Sequence, residues 1–234
     1  MGSAYVSNIV IDLEFTSVPR RLQTLGLQSE IIEVGAVKIR PDGAETGRFS
    51  CMVKPLETDR VSGGVRRLTG IGGENLVDAR PLETVLRQLV EWIGPGRSRM
   101  VTWSGTDKCQ VMAECSAKKI DASILPHRWL DIQKLYPRLM GTSGRSVALG
   151  EAADWCGISL KGNKAHRALD DALVTAELFK MMASGECGEQ RAVLDAGIRG
   201  SGAEACMSSI ASRCGDGLEA LLASLRQDEA SEVA

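Results

Sequence analysis

No uninterrupted apolar stretch in this chain of 234 residues approaches the length of a membrane span. The apolar run opening near Val6 is broken at once by Asp12 and Glu14, so the chain is expected to be soluble and cytoplasmic, with no membrane partner. Gly2 does not begin a myristoylation signal, because Val6 stands where that motif needs Ser or Thr. The seven cysteines include no C-x-x-C pair and have no histidine nearby at zinc-ligand spacing. Reduced, partly buried thiols are the expectation for them. Histidine is scarce as well, with only His127 and His166.

There is also no basic excess, since the net charge is −2. The charge is unevenly spread, however. From residue 185 onward nine acids stand against four arginines, which gives that segment −5 and leaves +3 on residues 1–184. A mildly basic body is compatible with a phosphate-bearing ligand. With 44% hydrophobic residues the chain can fill one sizeable core but not two full domains. One main domain, 1–184, is expected, followed by an extension, 185–234, that is helical or loosely ordered and includes a helical fragment over Leu218 to Leu225.

Asn8 to Phe15 reads as a buried central strand, and Ile31 to Arg40 and Arg48 to Lys54 as two more, joined through the Pro41-Asp42-Gly43 turn. Three consecutive strands pair most simply as a meander. Pro81 to Ile93 has helical spacing, with Pro81 near the first turn and Gly94 beyond the end. Met100 to Trp103 reads as a strand and Asp107 to Lys118 as a helix. Ser146 is placed to cap a helix that runs to Trp155 and stops at Gly157, and Ala168 to Met182 forms an apolar-striped helix.

Two acids interrupt the most apolar early strand. Side chains alternate along a strand, so Asp12 and Glu14 point to one face. Two adjacent carboxylates repel each other and lose hydration when covered, so a compensating cation, proton or strong donor is required. In isolation a D-x-E at an exposed strand end, paired with arginines, is the commoner arrangement. Here further acids follow. Asp107 sits where a strand gives way to a helix and reads either as a cap or as a site carboxylate. His166 precedes Asp170 and Asp171 at the start of the last apolar helix. Asp170 is suited to capping, whereas Asp171 can project from the first turn toward the strand acids. His127 has no acidic companion in pattern and no chemistry is assigned to it.

Asp12-Leu13-Glu14, then Asp107, then His166-x-Ala168-x-x-Asp171 resemble, in order and spacing, the three motifs of the DEDDh (DnaQ-like) 3′→5′ exonuclease superfamily. Supporting stretches are Glu30-Ile31-Ile32-Glu33-Val34-Gly35-Ala36-Val37, Val53-Lys54-Pro55 and Leu68-Thr69-Gly70-Ile71, so the likeness covers roughly residues 8–183. It implies an α/β, ribonuclease H-like fold, a mixed five-stranded sheet flanked by α-helices. Trp103-Ser104-Gly105-Thr106-Asp107 is similar to the ERI-1-like, RNA-trimming branch, which makes single-stranded RNA the preferred partner and single-stranded DNA or short oligonucleotides the alternative. A module of this fold that binds nucleic acid without cleaving it is a further alternative, against which the complete carboxylate set argues. Two stretches depart from the family pattern. The stretch Leu56 to Arg67, read as a loop, lacks its proline and aromatic residues, and Phe15-Thr16-Ser17 replaces Thr-Thr-Gly.

The resemblance further implies two ions, Mg²⁺ or Mn²⁺, held by Asp12, Glu14, Asp107 and Asp171, with Asp12 shared between them. His166 is the expected general base, a task that suits an imidazole because that group titrates near neutral pH. The backbone around Leu13, with Phe15 and Thr16, is expected to hold the terminal nucleotide. Trp103 either stacks on a base or belongs to the core, and Lys161 and Lys164 either meet phosphates or form a solvated loop.

Overall fold

A computed structural model describes residues 6–58, 60–137, 146–158 and 166–184. The expected extension with its Leu218 to Leu225 helix, and Lys161 and Lys164, lie outside the described residues. The described chain forms two compact units, 6–58 and 60–131 with 166–176, and 132–137 and 146–158 with 177–184. Among the described residues no helix is long and apolar enough to cross a membrane.

The first unit holds the whole sheet. β1 (Val6–Ser17), β2 (Ser29–Ile39) and β3 (Glu45–Lys54) form the antiparallel meander, and β4 (Arg80–Pro81), β5 (Arg97–Thr102) and β6 (Trp129–Asp131) complete the order β4-β3-β2-β1-β5-β6. β5 pairs parallel to β1 and β6 parallel to β5, so the sheet is mixed. This is the expected ribonuclease H-like architecture, with a sixth strand of only two residues added at the edge beside β3. Between the strands run α1 (Gly63–Thr69), α2 (Leu82–Ile93) and α3 (Gly105–Lys118).

β1 is the centre of the fold because its two faces do different work. Ile9, Ile11 and Leu13 enter one buried cluster with Leu82, Val85, Leu86 and Leu89 of α2 and Val111 and Cys115 of α3. Asp12 and Glu14 are therefore turned to the opposite face. α5, the last described helix (Ala168–Ser184), begins on that face; its predecessor in the chain is α4 (Leu149–Trp155). Asp12 is in register with Gly35 of β2, and a Cβ on Gly35 would overlap the backbone of Ala168 and Leu169. Glycine is required there by the helix lying on the strand, not by backbone torsion. Gly35→Ala is expected to push α5 off the sheet at a cost of about 2 kcal/mol, a fall of roughly 5 °C in melting temperature, with activity lost in parallel. A thermal melt beside a turnover assay checks this; wild-type values in both would show that α5 does not rest on Gly35.

Two local expectations need correcting. Leu56 to Arg67 is not loop throughout, because Ser62 accepts a hydrogen bond from the Val65 N–H at 3.3 Å and starts α1 despite two glycines in its first turn. Ser146 does not cap the following helix. In the second unit the buried Val147 instead gives its carbonyl to Gln133 Nε2 at 2.7 Å, and the chain turns helical only at Leu149.

Candidate active site

β5 pairs with β1 only as far as Val10, opposite Val101, so Asp12 to Glu14 extend past the end of β5. The Leu13 N–H that a longer β5 would occupy donates instead to the Asp107 carboxylate. Asp107 lies in the first turn of α3, whose N-cap is Ser104, accepting from the Thr106 N–H at 3.3 Å. The cap alternative for Asp107 is thereby removed, and its carboxyl faces β1. Asp171, one turn into α5, completes the approach from the other side. Ligand oxygens of Asp12, Glu14 and Asp171 all lie within 4.8 Å of one another. Asp107 stands outside that trio yet is the charge that most raises the Asp12 carboxyl, so it faces the same pocket.

The electrostatics follow from burial and crowding. Burial, then Asp107, Asp171 and Glu14, push Asp12 well above the carboxylate range. Burial and the neighbouring acids Asp171 and Glu33 raise Glu14 to about 7. Burial raises Asp107 to about 7, opposed by its two backbone hydrogen bonds and helped by Asp131. Asp171 is also raised by burial, and the adjacent His166 opposes the rise through its charge and its backbone N–H. The donor set is carboxylate oxygen throughout, which suits hard divalent cations. The residues present therefore fit such ions on chemistry as well as position.

A pH dependence follows. These carboxyls hold their protons more tightly in the folded than in the unfolded chain, so the folded state carries the excess protons. By linkage, stability without metal is greatest near the unfolded carboxylate pKa of about 4 and falls as pH climbs through about 7. The melting temperature of metal-free protein is expected to drop by several degrees from about pH 5 to about pH 8, and Mn²⁺ to restore more at the higher pH. A pH series of melts with and without Mn²⁺ checks this; an equal response to Mn²⁺ at both ends would contradict it.

His166 is exposed and has φ +65°, in the left-handed region that residues other than glycine rarely adopt. Of the residues expected to hold the nucleotide, Leu13 is buried and its N–H is already engaged by Asp107. Phe15 is half-buried against the core. Thr16 is fully buried, and its Oγ1 accepts from the Ser62 N–H at 3.0 Å, holding the entry to α1. Trp103 is buried at 6% exposure, among the core residues.

Three residues that carried no role in the sequence stand at the site. Glu33 is in register with Glu14 and binds Arg167 and the Ala168 N–H, so the first free amide of α5 is satisfied by a strand glutamate. Asp131, at the end of β6, lies beside Gly105 and Asp107. Gly35 was legible only as part of the Val34-Gly35-Ala36 stretch.

The exonuclease family profile of RNase T type matches residues 9–179. Probable 3′-5′ exonuclease KapD of Bacillus subtilis is 28% identical, with 75% of this chain and 84% of that protein covered. ERI1 exoribonuclease 2 of Xenopus laevis is 29% identical over 68% of this chain but only 26% of its own length. DNA polymerase III subunit epsilon of Aquifex aeolicus is 30% identical, covering 73% of this chain and 77% of that subunit. Among solved structures, the nuclease domain of 3′hExo, a DEDDh family member bound to rAMP, superposes with TM-score 0.68 at 21% identity over 80% of this chain and 96% of that one.

Proposed function

Since the chain belongs to the RNase T exonuclease family and is a 3′→5′ exonuclease acting on nucleic acid, we propose that it trims single-stranded RNA from the 3′ end. Two divalent ions, Mg²⁺ or Mn²⁺, and a histidine base complete the proposal. The observation that carries it is the gathering of Asp12, Glu14 and Asp171 oxygens within 4.8 Å, with Asp107 facing them from α3. Such a concentration of like charge favours the uptake of cations at neutral pH.

Asp12, Glu14, Asp107 and Asp171 would hold the ions, with Asp12 central because the other three acids all raise its carboxyl. Bound there, such ions would neutralise the phosphoryl oxygens, activate the attacking water and assist the departing 3′ oxygen. The chain's own part is orientation and proton transfer. The Leu13 N–H fixes the Asp107 carboxylate, and the Asp171 carboxylate fixes the backbone of His166. A ring nitrogen of His166 takes the proton of the attacking water, for which its exposure beside Asp171 leaves room. Phe15, half-buried next to Glu14, offers an apolar edge to the terminal nucleoside.

RNA is favoured over DNA by the Trp103-Ser104-Gly105-Thr106-Asp107 stretch and by the likeness to ERI1 exoribonuclease 2. The likeness to a DNA polymerase III subunit keeps single-stranded DNA as the second reading. One gel separates them: 5′-labelled RNA and DNA of equal sequence, incubated with Mg²⁺, Mn²⁺ or EDTA. A ladder of 3′-shortened products on RNA, absent in EDTA, is expected. A ladder on DNA alone would transfer the proposal to DNA, and no shortening with either metal would end it.

A further inference from the structure

We propose that Glu33 and Arg167 form a clamp that positions His166, a role separate from that of the four site carboxylates. It rests on the assignment of His166 as base. Glu33 is in the middle of β2, 1% exposed, directly across from Glu14. A buried glutamate beside three other acids, Asp12, Glu14 and Asp171, is a liability unless strong donors surround it. It has three: Arg167 Nε at 3.0 Å, Arg167 Nη2 at 2.6 Å and the Ala168 N–H at 3.1 Å. The two-pronged guanidinium contact fixes direction as well as distance, which a single hydrogen bond does not.

What the clamp fixes is the backbone immediately after His166. That residue is held at φ +65°, and a sparsely populated torsion persists only where its surroundings over-determine it. On the far side of the residue the His166 N–H is bound by Asp171; on the near side Arg167 and Ala168 are tied to β2. The helix itself has another seat, since Ala168 and Leu169 rest on Gly35. Asp171 is therefore placed by helix packing, and His166, which precedes the helix, by Glu33 and Arg167. The guanidinium also keeps the Glu33 charge compensated next to Glu14, whose carboxyl Arg167 draws back down.

The test uses the full chain with saturating Mn²⁺ and 5′-labelled single-stranded RNA, comparing Glu33→Gln, Arg167→Met, the pair together, and Glu33→Gln in a His166→Ala background. Each single variant is expected to lose about tenfold in kcat, with KM and the Mn²⁺ half-saturation within about threefold of wild type. The double variant should lose no more than the worse single, and Arg167→Lys should recover part of the loss. In the His166→Ala background Glu33→Gln should cost less than about twofold, whereas a variant that merely lowers the folded fraction costs the same factor in both backgrounds. Equal factors in both backgrounds, or unchanged kcat in Glu33→Gln while His166→Ala is inactive, would overturn the clamp alone. Wild-type turnover by His166→Ala would overturn the base assignment and the clamp with it.

Discussion

Asp12→Asn is expected to lower turnover about a thousandfold or more while raising the melting temperature of the metal-free protein near pH 8. The loss corresponds to about 4 kcal/mol of transition-state stabilisation, the scale of charge neutralisation that divalent ions supply. Asp12 is the appropriate target because Asp107, Asp171, Glu14 and Glu33 all act on its carboxyl. The same crowding makes the substitution stabilising without metal. Replacing the buried charge by a neutral amide of nearly equal shape removes its desolvation and its repulsion with Asp107, Asp171 and Glu14. A gain of several degrees is expected at pH 8 and little near pH 5, where the wild-type carboxyls already carry protons. A residue important only for the fold would do the reverse, losing activity and stability together. Melting curves at two pH values and a turnover assay on one preparation therefore separate the explanations.

His166→Ala is expected to reduce kcat by roughly a hundredfold to ten-thousandfold with KM nearly unchanged. The side chain is exposed and carries no part of the core, so the melting temperature should hold. Alanine at φ +65° is no better suited to that torsion than histidine, so backbone strain does not differ greatly between the two. A loss in kcat alone marks an interaction made only in the transition state. Single-turnover rates beside RNA-binding measurements check it; a rise in KM with kcat preserved would make His166 a binding residue.

The parts of this molecule legible in the sequence are those governed by local periodicity. Asp12 and Glu14 had to share a face because strand side chains alternate, and Ile9, Ile11 and Leu13 had to take the other. α2 declared itself by its apolar spacing, and Asp107 by its place after an apolar strand. What stayed hidden depends on partners far apart in the chain. Glu33 and Arg167 are separated by 134 positions, and nothing in either neighbourhood marks them as a pair. Ser62 starts α1 because Thr16 holds its backbone amide, a contact across 46 positions. The torsion of His166 is likewise set by what grips the residues around it. Trp103 was ambiguous for another reason: a strand tryptophan near a site satisfies both a core and a stacking pattern, and only its burial decides.

Crystals of the full chain soaked in Mn²⁺ with a nucleoside 5′-monophosphate, measured at the manganese absorption edge, put the gathering of acids to its hardest trial. Anomalous peaks within coordination distance of Asp12 are expected, one also touching Glu14 and Asp171 and one lying toward Asp107, and both absent from Asp12→Asn crystals. A nucleotide bound with no anomalous density at Asp12 would mean that these carboxylates converge for some purpose other than holding metal.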